Sequence, residues 1–310
     1  MDLVEIADPV EQYEAMTRVA QAADALPAFD SVWVYDHFHT VPTPELQTVF
    51  EAWTITAALT RDTKRVNVGQ MVTCNGYRSP TLLAKMASTV DVMSHGRLYC
   101  GLGAGWYEHE WRAYGYGFPE TRVRMRAFRE ACDIIYKMWT EEYPEYKGEY
   151  YTIDKPINEP RGARKPHPSL GIGGGGEQVT LKLVARYANA CNFGDGNPDT
   201  YRHKLEVLKG HCDALGRDFD SIIKSSSLNI IPLEAGADPE KATEPLQKAT
   251  GLSFDQLKGI GTIGGPDVIK ARVQEMVDAG ANYIIFYVPR IAYDHTPLHI
   301  LAEQVIPSFQ

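Results

Sequence analysis

Nowhere does this chain approach the roughly 18 consecutive apolar residues that a membrane-spanning helix needs. Its opening Met-Asp-Leu-Val-Glu is acidic early and lacks the basic-then-apolar order of a signal peptide, so the cytoplasm is the expected compartment. Cysteine is scarce: five in 310 residues, an odd number with no Cys-x-x-Cys pair, which argues against a disulfide framework or a zinc knuckle. Basic residues are outnumbered, 31 against 40 acidic, and the net charge of −9 argues against nucleic-acid partners and anionic membrane surfaces. A local basic pocket for a small anionic ligand stays open. What is present, 44% hydrophobic and 23% charged residues, is the composition of a soluble globular protein with ample core.

Apolar strand-like runs alternate with helical spacing along the whole chain. Strands are expected at 32–35, 66–72, 98–102, 170–172, 190–193, 222–231 and 283–288. Helical patterns lie between them, for example 8–26 (Asp8 as N-cap, Pro9 in the first turn) and 121–139, with Val123, Phe128, Cys132, Ile135, Met138 and Trp139 on one face. Two excursions, 141–168 and a helical 233–263, interrupt the rhythm. No linker or short-period repeat is visible, so 1–310 is expected to be one domain. Such alternation implies a parallel sheet covered by helices. The glycine loops follow the third and fourth strands rather than the first, which favours a (β/α)8 TIM barrel over an open dinucleotide-binding sheet. A barrel needs eight strands. The expectation is that the first is either a stub at Leu3–Ile6 or lies upstream of Met1.

Polar and glycine-rich clusters fall at the expected strand ends. The stretch 94–106 is a short apolar run opening into Gly101, Gly103 and Gly105, glycines expected to take positive φ and let backbone approach a ligand. A second glycine loop, Gly173-Gly174-Gly175-Gly176, precedes a helix at 178–188. Asp36-His37-Phe38-His39 ends the first countable strand, and Asn75-Gly76-Tyr77-Arg78-Ser79-Pro80 follows the second.

In this order, these segments together with Asp91-Val92-Met93-Ser94-His95-Gly96-Arg97 and Gly101-Leu102-Gly103-Ala104-Gly105-Trp106 resemble the bacterial luciferase-like flavin and deazaflavin oxidoreductases. Within that family the chain resembles the actinobacterial branch that uses coenzyme F420, a deazaflavin. The resemblance implies a luciferase-like barrel with the tricyclic ring at the strand carboxyl ends and the phosphate at Gly173–Gly176, a backbone anion site. It implies ring contacts from Asp36, Gln70, Met71, Gly103, Ala104 and Gly105, with a non-proline cis bond at Gln70-Met71, and His37 at the reactive ring. It also implies a homodimer. The sugar-phosphate dehydrogenase branch carries an acidic residue after its Gly-x-Gly where this chain has Trp106, so that substrate is not expected.

The expected activity is hydride transfer between F420 and a small organic substrate, with His37 as acid/base. The first alternative is an FMN-dependent monooxygenase of the same fold, fed by a separate reductase. The second is a non-catalytic cofactor-binding barrel. Asp36 is expected to orient His37 or cap backbone, and His109 and Glu110 to cap a helix, with catalysis as their lesser role. His37 and His39 form a His-x-His pair, but the later strand ends lack the further histidines and the aspartate of a metal hydrolase, so no metal is expected. Trp106, Tyr107, Trp111, Tyr114 and Tyr116 either wall a substrate pocket or pack the barrel mouth. Cys74 is read as a pocket-lining thiol, and Arg161, Arg164, Lys165 and His167 as either a solvated loop or a receiver for the coenzyme's acidic tail.

Overall fold

The computed structural model describes residues 3–193 and 196–309. The chain forms two compact units. One comprises Ser31–Phe193 and Lys204–Ile223, and the other the described parts of 1–30, 194–203 and 224–310.

In the first unit five parallel strands stand side by side in chain order: Ser31–Val34, Asn67–Gln70, Leu98–Gly103, Ser169–Gly173 and Ala190–Asn192. Helices Ala52–Asp62, Pro80–Met93, Thr121–Thr140 and Thr180–Tyr187 make the crossovers, as parallel connections require. Ser79 caps the second of these, with Pro80 in its first turn. Helix Thr121–Thr140 buries the expected face of Phe128, Cys132, Ile135, Met138 and Trp139, with Val123 half-buried at its start. The excursion after it is an antiparallel hairpin, Glu145–Lys147 with Thr152–Asp154. Buried Glu130 ties the hairpin down by accepting the N–H groups of Glu149, Tyr150 and Tyr151 at 2.8–3.1 Å.

The second strand breaks and resumes. Gly69 pairs with Tyr99 and Thr73 with Leu102, so three residues on one strand oppose two on the other, a bulge of one residue. The non-proline cis bond lies inside it at Met71–Val72, one bond beyond the expected Gln70–Met71, because Gln70 is still paired in register with Val34. Val72 fills the space left by glycine. A Cβ on Gly103 would come within 2.7 Å of its side chain, and one on Gly173 within 2.9 Å. Gly101 and Gly103 therefore serve the bulge and keep negative φ, contrary to expectation; only Gly105 has the positive value, +78°. Nearer the strands' amino ends the same face is filled by Trp33 stacked on Tyr99, centroids 5.6 Å apart, with Gly69 leaving room for both rings.

In the second unit the long strand Ile223–Pro232 is flanked by two others. Tyr283–Tyr287 runs parallel to its first half, and Thr262–Gly264 parallel to its end. The 233–263 excursion is helical as expected except at its close, where Thr262–Gly264 is a strand the residue pattern had hidden. Leu3–Ile6 is not a strand stub. The Ile6 N–H returns to the Leu3 carbonyl at 3.0 Å, and the Gln12 side chain binds both carbonyls, closing a turn. Helix Pro9–Ala25 follows, capped by Asp8.

A Cβ on Gly101 would sit 2.1 Å from the Gln70 carbonyl oxygen, a backbone atom that cannot step aside. Gly101→Ala should therefore lower stability by about 1–3 kcal/mol or more. Gly210→Ala, in the open interior of helix Pro198–Leu215, should raise it by about 0.5–1 kcal/mol. Urea midpoints of the two variants, shifting in opposite directions, check the assignment.

Candidate active site

Strand Ser31–Val34 runs out into Tyr35 and the buried Asp36. Asp36 accepts the Cys74 N–H at 2.9 Å and both terminal nitrogens of Arg78 at 2.7 and 2.9 Å. The same guanidinium reaches Glu51, whose carboxylate also accepts the N–H groups of Trp53 and Thr54 and so caps helix Ala52–Asp62. Burial opposes the charge on Arg78, but the two carboxylates outweigh it and hold its pKa above the ordinary value. Asp36 thus fixes backbone and Arg78; it does not orient His37.

Glu110 does that. It stands in the short helix Glu108–Ala113 and is fully buried. One oxygen accepts the N–H groups of Phe38 and His39 at 2.5 and 3.2 Å, and the other accepts the Tyr77 hydroxyl at 2.6 Å and faces His37 Nδ1 at 2.9 Å. Burial alone would raise a carboxyl pKa, yet the hydrogen bonds from His37, Tyr77 and Phe38 prevail and hold Glu110 below its ordinary 4.5. The Tyr77 phenol, buried and donating to that carboxylate, is pushed well above its ordinary range. With an ionised acceptor at Nδ1, the imidazole carries its proton there and leaves Nε2 unprotonated in the neutral form. Glu110 is the functional residue that sequence reasoning undervalued. A six-residue helix is too short for periodicity to tell the buried Glu110 from the exposed Glu108.

Burial divides the aromatic run. Trp111 and Tyr107 are buried, the first in a cluster with Cys74 and Tyr77, the second donating its hydroxyl to the Pro42 carbonyl at 2.9 Å. Trp106, Tyr114 and Tyr116 are exposed. Trp106 meets His37 edge-on, centroids 6.1 Å apart, and Ala104 and Gly105 join it to the strand end. Cys74 is buried rather than lining an open wall, and burial pushes its thiol up to about 12, so it stays protonated. Gln70 is also buried, its amide donating to Thr56 Oγ1 at 2.7 Å, while the Met71 N–H returns to the Val34 carbonyl at 2.8 Å.

The second glycine loop follows strand Ser169–Gly173 and leads into helix Thr180–Tyr187. Gly174 has φ of +114°, and a Cβ on Gly176 would approach Thr180 Oγ1 to 2.9 Å. Lys204 lies over Gly175, its Cε 3.5 Å from where a Cβ would stand, and its ammonium pairs with Glu177 at 2.5 Å. Side-chain-free backbone, a helix start and one cation meet at this point, a donor set that fits a phosphate group. The basic segment is elsewhere, contrary to a role as receiver for the coenzyme. Arg164 binds the Gly96 carbonyl at 2.9 Å and covers the Tyr99 ring, Arg161 pairs with Glu159, and His167 stacks on Trp139. These partners mark the amino ends of the strands, opposite the glycine loop. His39 and His109 bond one another at 3.3 Å, and among the described residues no group of side chains is arranged to hold a metal ion.

Glu110→Gln should cost on the order of 3 kcal/mol, because it weakens four converging donors at a buried site. The folded-state pKa lies below the unfolded one, so the stabilisation from the charge is complete above pH 4.5 and is lost as acid carries the pH down through the folded-state value. The gap in unfolding free energy between wild type and variant should therefore narrow below that pH, which urea titrations at pH 7, 5 and 3.5 would measure.

The model of the family described as luciferase-like monooxygenase matches residues 4–250. An F420-dependent glucose-6-phosphate dehydrogenase of Amycolatopsis mediterranei is 26% identical over 309 residues, covering 91% of this chain and 90% of its own. Monooxygenase RslO1 from Streptomyces bottropensis superposes with a TM-score of 0.80 at 20% identity, over 98% of this chain and 95% of its own. An F420-dependent secondary alcohol dehydrogenase, solved with an F420-acetone adduct, gives 0.79 at 19% identity over 96% and 95%. The luciferase-like (β/α)8 TIM-barrel class expected from the sequence is the fold these likenesses bear out. With four-fifths of its length under one family model, the chain belongs to the luciferase-like monooxygenase family.

Proposed function

We propose that the protein is an oxidoreductase that binds coenzyme F420 and moves a hydride between the deazaflavin and a small organic substrate, with His37 as its acid/base. One observation carries this reading: Glu110 fixes the His37 tautomer from a buried site, so that Nε2 is free to exchange a proton with a substrate oxygen. The names of the curated relatives, F420-dependent dehydrogenases at 26–29% identity, support the choice of cofactor.

The deazaflavin, when bound, supplies the two-electron chemistry as a hydride donor or acceptor. The protein's own contribution is position and proton control. The backbone of Gly174–Gly176, with Lys204 beside it, would hold the phosphate. The bulge around Met71 and Val72 and the Gly103–Gly105 strand end would lie behind the ring. His37 Nε2 receives the substrate's hydroxyl proton in the oxidising direction and returns it in the other, while the Glu110 carboxylate stabilises the imidazolium through Nδ1.

Fluorescence titration with oxidised F420, and with FMN in parallel, tests the cofactor. Saturable micromolar binding of F420 is the expected result. Tight binding of FMN alone would convert the reading to a monooxygenase component served by a separate reductase, and binding of neither in a folded sample would leave a non-catalytic barrel. Gly175→Asp, which sets a carboxylate against the phosphate, should weaken F420 binding by about tenfold or more. His37→Ala should keep F420 affinity within a few-fold and lower kcat by about 10²–10⁴.

A further inference from the structure

We infer that the substrate recognised beside His37 is an uncharged, flat, ring-bearing ketone or secondary alcohol, and that Trp106 selects it; the redox half of this statement rests on the deazaflavin reading above, the recognition half does not. Trp106 is 62% exposed, the largest aromatic side chain so placed, yet its surroundings hold it. Its ring meets His37 edge-on at 6.1 Å and leans on Tyr107 at 5.4 Å, and Tyr107 is itself anchored through its hydroxyl to Pro42. The indole therefore stands next to the proton-exchanging imidazole with much of its surface in water. Covering it with a flat apolar ring removes that surface from water and adds an aromatic stacking term.

Charge at this rim points the same way. His39 and His109 share a hydrogen bond. The carboxylate nearest His37 is Glu110, kept ionised by its donors. A phosphate or carboxylate brought against Trp106 would stand on the same side of the site as the ionised Glu110 carboxylate and lose its water against an apolar ring, which is costly. A ketone or hydroxyl oxygen needs only the single donor or acceptor that His37 Nε2 provides.

Calorimetric titration of the protein, with and without F420, tests the recognition directly. The probes are 2-acetonaphthone (flat and neutral), 2-dodecanone (neutral, of similar carbon count, without a ring) and glucose 6-phosphate (an anion). Wild type should bind the naphthyl ketone about tenfold more tightly than the aliphatic one. Trp106→Leu should remove that preference, Trp106→Phe should retain most of it, and F420 affinity should stay within about twofold in both. An unchanged preference in Trp106→Leu, or glucose 6-phosphate binding as tightly as the naphthyl ketone, would overturn the assignment. Absence of F420 binding to wild type would overturn the redox half alone, since the ketone titration without cofactor still decides the recognition half.

Discussion

A carboxylate buried without a counter-ion of equal burial is a severe constraint on a fold, and Glu110 shows how this one meets it. Two backbone N–H groups, a phenol and an imidazole converge on its two oxygens. The donors come from the loop after the first strand and from the turn after the second, so one side chain sets the relative height of both strand ends. The ionised state and the local backbone are then mutually dependent. Protonating the acid releases the loop, and moving the loop strands a charge in the interior. His37 inherits its tautomer from this arrangement rather than from its immediate chain neighbour Asp36.

The glycines of the strand ends divide between two jobs that look alike in a sequence. At 101, 103 and 173 the missing Cβ accommodates protein, namely the side chain of Val72 and the backbone of Gln70. At 174–176 the missing side chains leave backbone within reach of an anion, with Lys204 alongside. A bulge that shifts the second strand by one residue is the physical link between the first set and the site. It carries the chain over the glycine-lined face before pairing resumes at Thr73.

Much of the fold was legible because parallel strands and amphipathic helices advertise themselves by apolar period, and the seven expected strands are all present. The misses have physical causes. Thr262–Gly264 is three residues long and pairs only with the far end of one neighbour, too little to leave a pattern. Leu3–Ile6 has strand-like composition, but the Gln12 side chain draws its carbonyls into a turn, a contact no local propensity reveals. Within the site, His37 stood out because a histidine at a strand end is conspicuous, whereas Glu110 was hidden among acidic neighbours. The basic run 161–167 was ambiguous by composition; its partners Gly96, Glu159 and Trp139 resolved it as scaffold.

The guanidinium of Arg78 grips Asp36 and Glu51 together, the two residues between which the 37–50 segment leaves and rejoins the framework. A loop whose stem is clamped this way is a closed cassette. Its length and composition can drift during evolution at small thermodynamic cost, since doubling a loop costs only about 0.6 kcal/mol in closure entropy. The first residues past the stem, His37 to His39, are held by Glu110 and do not share that freedom. The remainder, including the fully exposed Leu46, is not held by Glu110 and can change without stranding that charge.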